Sequence, residues 1–407
     1  MLNGWVSRRH FLEGLAASAA AFSVVPRRAL GGPGELTPSD SLGGALVGCG
    51  GRGGGTFGGL GHNVRRLASC DVKYKGKADN KTTYVDFRRV MDRQDIDAVA
   101  IATPPHWHPL VSIAAMQSGK DVVCEKPLTR FIAEGRAVVN AEKRYGRIIQ
   151  VGTYGRYSRI RDRGSILRHK IMASGLLKKS PLVHIKRGGL KVKMWSGYVN
   201  PKPHTVPDWL DWDMYCGPSP LRPYHPHRHG GSHRGYWDYE GGGLADMGQH
   251  HFDPVQWTYA KDDTSAVEID VHTPPAHPLA CGMWGWVELT YADGSIFVMD
   301  SREWGKPYDR HQPRDVSLSD LSEEDQKKIQ AMPDPEPWPS FAEAVRTRKK
   351  TGGCAEPAHR SACILHLANI AIRVGRKIKY DPVKEVVIGD EEANRIAHQP
   401  MRAPWHL

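Results

Sequence analysis

No stretch of the 407 residues runs eighteen or more apolar positions without interruption, which excludes a polytopic membrane protein. Cysteine is scarce. Seven are too few for a disulfide scaffold, and the odd number leaves at least one thiol free or paired between chains. Helix-turn-helix, zinc-finger and RNA-binding signatures are absent, so nucleic acid is not an expected partner. There is no internal repeat. Hydrophobic content of 40% and charged content of 25% rule out disorder, collagen or coiled coil as the dominant state. The chain is longer than one core usually organises, so two domains are expected.

The net charge of +12 is unevenly placed. Residues 1–30 carry +3, and residues 156–193 carry +11 from twelve Lys/Arg against Asp162 alone, leaving −2 for the rest. One basic segment, rather than a basic protein, is what the sequence holds. It reads either as a solvated helix face or as a surface for an anion, and an acidic sugar or polysaccharide is the substrate it suggests.

Ser7-Arg8-Arg9-His10-Phe11-Leu12, followed by the apolar run 14–25, resembles a twin-arginine export signal. The run is too short and too Ala-rich for a membrane span, so no stable insertion is expected after export, and a periplasmic or otherwise exported location is. An amphipathic N-terminal helix is the plain alternative. Residues 1–40 are set aside as signal and linker. Such systems export folded proteins, so a cofactor loaded in the cytoplasm must stay bound through many turnovers outside.

Residues 44–48 have the pattern of a short buried strand, and Gly48, Gly50 and Gly53 then fit G-x-G-x-x-G. The first glycine permits a tight turn, the second lets backbone approach a pyrophosphate, and the third lets a helix pack close to the strand. Eleven glycines between 43 and 61 make this match weak alone and the following helix poor. Context strengthens it. Asp71 comes eighteen residues after Gly53, at the end of a strand over 66–70, near the spacing of an acid that bonds a ribose hydroxyl. Its charge favours NAD, with NADP the alternative that Lys73 and Lys75 leave open. Strands over 97–103, 121–124 and 148–151 alternate with helices over 109–118 and 132–145, the order of a doubly wound parallel sheet. Only twelve residues separate Asp71 from Tyr84, and they are polar and Lys-rich, so the helix after the second strand is expected to be missing or reduced to a loop. That leaves the adenosine side of a dinucleotide site thinly walled.

Four blocks together resemble the Gfo/Idh/MocA oxidoreductase family: Val47-Gly48-Cys49-Gly50-Gly51-Arg52-Gly53, Ala102-Thr103-Pro104-Pro105-His106-Trp107-His108, Cys124-Glu125-Lys126-Pro127-Leu128, and residues 241–250 ending in Asp246-Met247-Gly248-Gln249-His250. The likeness runs over roughly residues 42–407. It implies an α/β chain: an N-terminal Rossmann domain over 41–152, then a C-terminal α+β domain over 153–407 with an open, mainly antiparallel sheet. It implies cofactor contacts from Gly48, Gly50, Gly51, Arg52, Gly53, Asp71, Thr103, Pro104, His108, Glu125 and Lys126. It implies a catalytic set of Lys126, Asp246 and His250, and a homo-oligomer.

The chemistry of those residue types agrees. Oxidising a sugar C–H needs a base for the hydroxyl proton, and histidine titrates in the right range. Four residues apart, Asp246 and His250 share a helix face, where Asp246 can orient the imidazole or bind a sugar hydroxyl. Lys126 can stabilise a developing alkoxide.

The second half is expected to hold strands over 182–186, 266–272, 283–291 and 295–300 and helices over 322–332, 341–348 and 360–373. A long loop region, 194–239, is rich in Trp, Tyr, Pro and His. Within it Asp211–Pro218 resembles the family's loop at the active site, so Trp212 and Tyr215 are expected against substrate, together with Arg156 and His251. Six histidines (225, 227, 229, 233, 250 and 251) fall within 27 residues, but their H-x-H-x-H spacing fits no usual ligand geometry and no metal is expected.

The favoured function is an exported NAD(P)-dependent oxidoreductase acting on a sugar or cyclitol hydroxyl. Two others compete: a glycoside hydrolase or lyase working through a transient keto-sugar on bound NAD, and a non-catalytic sugar-binding protein with a decayed cofactor site.

Overall fold

Short, fully apolar runs bounded by glycine and charge form the strands of the first half, because a parallel strand buried on both faces has no polar side. A computed structural model of the protein describes residues 41–77, 80–186 and 190–407. The twin-arginine segment lies outside them. The first sheet comprises β1 (Leu42–Val47), β2 (Val64–Cys70), β3 (Thr83–Tyr84), β4 (Ala98–Ile101), β5 (Asp121–Cys124) and β6 (Ile149–Val151). Their order is β3-β2-β1-β4-β5-β6, and β1 with β4, β4 with β5, β5 with β6 and β2 with β3 pair in parallel. This is the doubly wound arrangement, with the strand order reversing between β1 and β4.

The helices at His108–Gln117 and Ile132–Tyr145 fall within a residue of their expected bounds. The connection from β2 to β3 carries a single 3-10 turn, Val72–Tyr74, among its described residues. Among the described residues no crossover helix is present, as the length and composition of the connection predict.

The second sheet adds β7 (Leu182–Lys186), β8 (Glu268–His272), β9 (Trp286–Thr290), β10 (Ile296–Asp300), β11 (Ile378–Asp381) and β12 (Val386–Val387). Its order is β12-β11-β8-β9-β10-β7, antiparallel throughout except for the parallel pair β10 and β7. β11, β12 and the helix Glu391–Ala397 were not expected from the sequence. The helix expected over 360–373 begins earlier, at Ala355, and runs to Val374. Its first turns, Ala355 and Ala358, sit in the core of the parallel sheet, and Cys363 to Ile372 sit in the core of the second. One helix therefore belongs to both cores and packs against both Ile132–Tyr145 and Gly242–Thr258.

All seven cysteines are free thiols. Among the described residues, no helix is long and apolar enough to cross a membrane.

Candidate active site

The C-terminal ends of the parallel strands supply one wall of a cavity of about 840 Å³. Gly48 follows β1, Asp71 follows β2, Thr103 follows β4, and Glu125 and Lys126 follow β5, so the cavity lies at the edge where open α/β sheets bind their ligands. The opposite wall comes from the second half: Trp209, Met214, Tyr215, the stretch from His229 to Arg234, Glu240, and Asp246, Met247 and His250 of one helix.

The glycine loop has the shape the fingerprint calls for. Gly48 has φ +89°, and a Cβ there would stand 2.5 Å from the Ala102 carbonyl carbon. A Cβ at Gly53 would stand 2.7 Å from the Gly48 oxygen. At Gly50 and Gly51 an added Cβ would meet nothing within 4 Å, and both residues face the cavity. Two glycines therefore permit the turn and the helix contact, and two leave open a backbone cradle of the kind a pyrophosphate needs.

Asp71 braces this loop. Its Oδ2 accepts from the Cys49 amide at 2.7 Å and its Oδ1 from the Lys73 amide at 3.0 Å, while Lys73 Nζ donates to the Cys49 carbonyl at 2.7 Å. A carboxylate has lone pairs left after two such bonds, so it retains the capacity to accept from a ribose hydroxyl. The open cradle and this acid fit a dinucleotide.

Glu125 Oε1 accepts from Arg52 Nε and Thr56 Oγ1, each at 2.9 Å, which pins the loop after β5 to the glycine loop. Glu125 raises the Arg52 pKa further above its ordinary value. The next peptide, Lys126–Pro127, is cis. His108 joins the adjoining turns: its ring nitrogens lie 2.8 Å from the carbonyl oxygens of Thr103 and Pro127.

Lys126 reaches across to the second half. Its Nζ stands 2.5 Å from Asp246 Oδ1 and 2.8 Å from the Asp246 carbonyl. Arg234 Nε lies 3.0 Å from the same Oδ1. Burial by itself would raise the Asp246 carboxyl, but Lys126 and Arg234 outweigh it and hold it below the usual range. Asp246 Oδ1 is thus shared between two cations, and Asp246 acts on the imidazole four residues on through its charge. His250 is open to the cavity. Partial burial lowers its pKa and Lys126 lowers it further, with Asp246 and Glu125 opposing, so the ring is neutral near pH 7. A neutral imidazole beside an ammonium suits proton abstraction from a hydroxyl.

Of the residues expected here, Gly48, Gly50, Gly51, Arg52, Asp71, Thr103, Pro104, Glu125, Lys126, Tyr215, Asp246 and His250 line the cavity. Five do not. Gly53 packs its helix, and His108 is buried between two carbonyls. Arg156, expected against substrate, is wholly buried between Asp253 and Asp262. Trp212 is buried and stacked on Tyr215, with ring centroids 4.9 Å apart. His251 is not among the lining residues.

Among the described residues, none of the basic segment lines the cavity. Arg156, Arg168 and Lys170 are paired with acids, Arg168 with Asp315 and Lys170 with Asp334. These three cations are therefore engaged within the protein. Where Lys126 reaches across the cavity, Lys126 and Arg234 face Asp246 and Glu240, a balanced set.

Trp209, His229, His233, Arg234 and Glu240 were not among the expected site residues. His229 and His233 belong to the noted histidine run, which was a usable signal, but its members divide. His227 stacks on Tyr198 with centroids 3.7 Å apart, and His225 caps a 3-10 turn. Among the described residues, no group of three or more His, Cys, Asp or Glu is placed to hold a metal ion.

Comparison with known proteins bears on this site. Residues 166–407 match the Gfo/Idh/MocA model for the oxidoreductase family's C-terminal alpha/beta domain, and residues 64–153 match its NAD-binding Rossmann fold. The chain is 45% identical over 65 residues to levoglucosan dehydrogenase of Pseudarthrobacter phenanthrenivorans, covering 16% of each chain. It is 30% identical over 132 residues to inositol 2-dehydrogenase of Salmonella typhimurium, covering 30% of this chain and 37% of that one. These matches span only about a sixth to just over a third of the curated relatives. In fold, the chain is similar to the WlbA dehydrogenase of Bordetella pertussis, solved with NADH and UDP-GlcNAcA. The TM-score is 0.52 at 15% identity, covering 84% of this chain and 99% of that one.

Proposed function

The chain belongs to the Gfo/Idh/MocA oxidoreductase family, and from that premise we propose that it is an NAD-dependent oxidoreductase acting on a hydroxyl of a sugar or cyclitol. The observation that carries the reading is the meeting, in one cavity, of Lys126 from the wall that holds the open glycine cradle with Asp246 and His250 from the opposite wall.

Gly50 and Gly51 would hold the dinucleotide's phosphates and Asp71 its ribose. When bound, NAD supplies a hydride acceptor. His250, neutral near pH 7, takes the hydroxyl proton on its unprotonated ring nitrogen. Lys126 donates from Nζ to the oxygen on which negative charge develops, and Asp246, itself held by Arg234, keeps that ammonium in place. Relatives named for levoglucosan and inositol support a polyhydroxyl substrate.

Export rests on Ser7-Arg8-Arg9 and the apolar run behind it, which makes the periplasm or the cell exterior the proposed location, with a cofactor retained from folding onward. Product analysis tests the reaction class. Incubation with sugars and cyclitols should yield a keto product and reduced NAD in equal amounts; cleavage of a glycoside without net oxidation supports instead the transient keto-sugar route, and no turnover of either kind refutes the proposal.

A further inference from the structure

Parallel strands need a crossover of about a dozen residues or more, ordinarily with a helix laid against the sheet. Between β2 and β3 the described residues offer only the turn Val72–Tyr74. What packs against that turn comes from far along the chain. The Asp211 amide donates to the Val72 carbonyl at 3.0 Å. Val72 and Val206 pack against the cluster of Leu210, Trp212 and Tyr215. From the same loop, Trp209, Met214 and Tyr215 line the cavity beside Asp71, Val72 and Lys73.

Trp209 is 48% exposed. An indole is costly to leave in water, and a half-exposed one on a cavity wall marks a place where an apolar face is to be covered. It does not stand alone. Its ring centroid lies 5.7 Å from that of His229, and His229 lies 5.1 Å from Tyr215. These three rings form an aromatic surface on the side of the cavity where β2 ends.

We propose that the loop over residues 206–216, with Trp209 and His229 as its aromatic surface, is part of the dinucleotide site and replaces the missing crossover helix as the wall beside the adenosine half. The inference rests on the reading that this cavity takes NAD. Asp71 ends β2, the position of the ribose-binding acid in such folds. The hydrogen bond from Asp211 to Val72 brings the loop to the residue next to it. A purine presents a flat π face, which aromatic side chains bind without needing a particular hydrogen-bond pattern. A sugar ring on Trp209 is the competing occupant, and the two differ in which ligand loses affinity when the indole is removed.

Calorimetric titration of the full chain with ADP-ribose and with nicotinamide mononucleotide separates them. Trp209→Ala should weaken ADP-ribose by about fivefold or more, the loss expected for one stacked base, and leave nicotinamide mononucleotide unchanged. Trp209→Phe should restore most of the affinity. Because Trp209 is half-exposed, the substitution opens no buried void. Equal ADP-ribose binding by wild type and Trp209→Ala overturns the proposal and leaves the proposed function standing, as does a loss confined to sugars. A wild-type protein that binds neither ADP-ribose nor NAD overturns both.

Discussion

Lys126 Nζ stands 2.5 Å from Asp246 Oδ1, so a single ammonium ties the loop after β5 to the helix that carries His250. Asp246 has a second cation, Arg234, 3.0 Å from the same oxygen. Removing Lys126 therefore leaves the acid paired, and the fold should tolerate it. The loss should fall on the reaction. Lys126→Met should lower kcat by roughly 10²–10³-fold, the usual cost of one preorganised donor to a developing oxyanion. Steady-state kinetics beside a thermal melt checks this; a collapsed Tm with unchanged kcat per folded molecule contradicts it.

His250→Ala should lower kcat by roughly 10²–10⁴-fold, the span of general-base contributions, with dinucleotide still bound. The pH profile of the wild type carries a further expectation. Burial and then Lys126 depress the His250 pKa below its ordinary 6.5. The base works only when neutral, so the acid limb of kcat/KM, which reports the free enzyme, should lie below pH 6.5. An acid limb above that value points to another group.

Arg156 is buried among acids and is not open to the cavity. Its guanidinium bonds Asp253 at 2.9 and 2.6 Å, and Asp253 sits on the same helix as Asp246 and His250. Arg156→Ala leaves a buried carboxylate without its partner, which typically costs about 3–5 kcal/mol. Chemical denaturation should show that loss. A variant of normal stability with a raised KM would return Arg156 to the substrate.

The junction between the helices Ile132–Tyr145 and Ala355–Val374 should fail in acid. Arg136 bonds both Glu356 and Glu385. Burial pushes both carboxyls up, but bonding to Arg136, joined for Glu385 by His359, brings each down to about 2. Groups depressed in the folded state add stability that is complete above the unfolded value near 4.5 and is lost as pH falls toward 2. Tm should hold above pH 4.5 and drop below it, more steeply in the wild type than in a Glu356→Gln, Glu385→Gln double variant.

What the sequence made legible follows from what each signal depends on. The apolar runs of β1, β4 and β5 and the two long helices of the first half depend on local pattern, and they stand within a residue or two of expectation. The strands β11 and β12, of four and two residues, carry too little pattern to stand out. The glycine loop and the block around Lys126 were readable because close backbone approach admits few residue types. Arg156 and Trp212 were misread because a charge or a ring near a motif does not disclose its partner. Asp253 lies nearly a hundred residues from Arg156, and only the fold brings the two together. Arg234 and Glu240 were passed over for the same reason.

Mass-spectrometric identification of the dinucleotide released when the purified protein is denatured tests the central claim most directly. The account predicts NAD or NADH in near-stoichiometric amount, held by the Gly50–Gly51 cradle and Asp71. A protein that releases none, and that added NAD or NADP cannot fill, would contradict it.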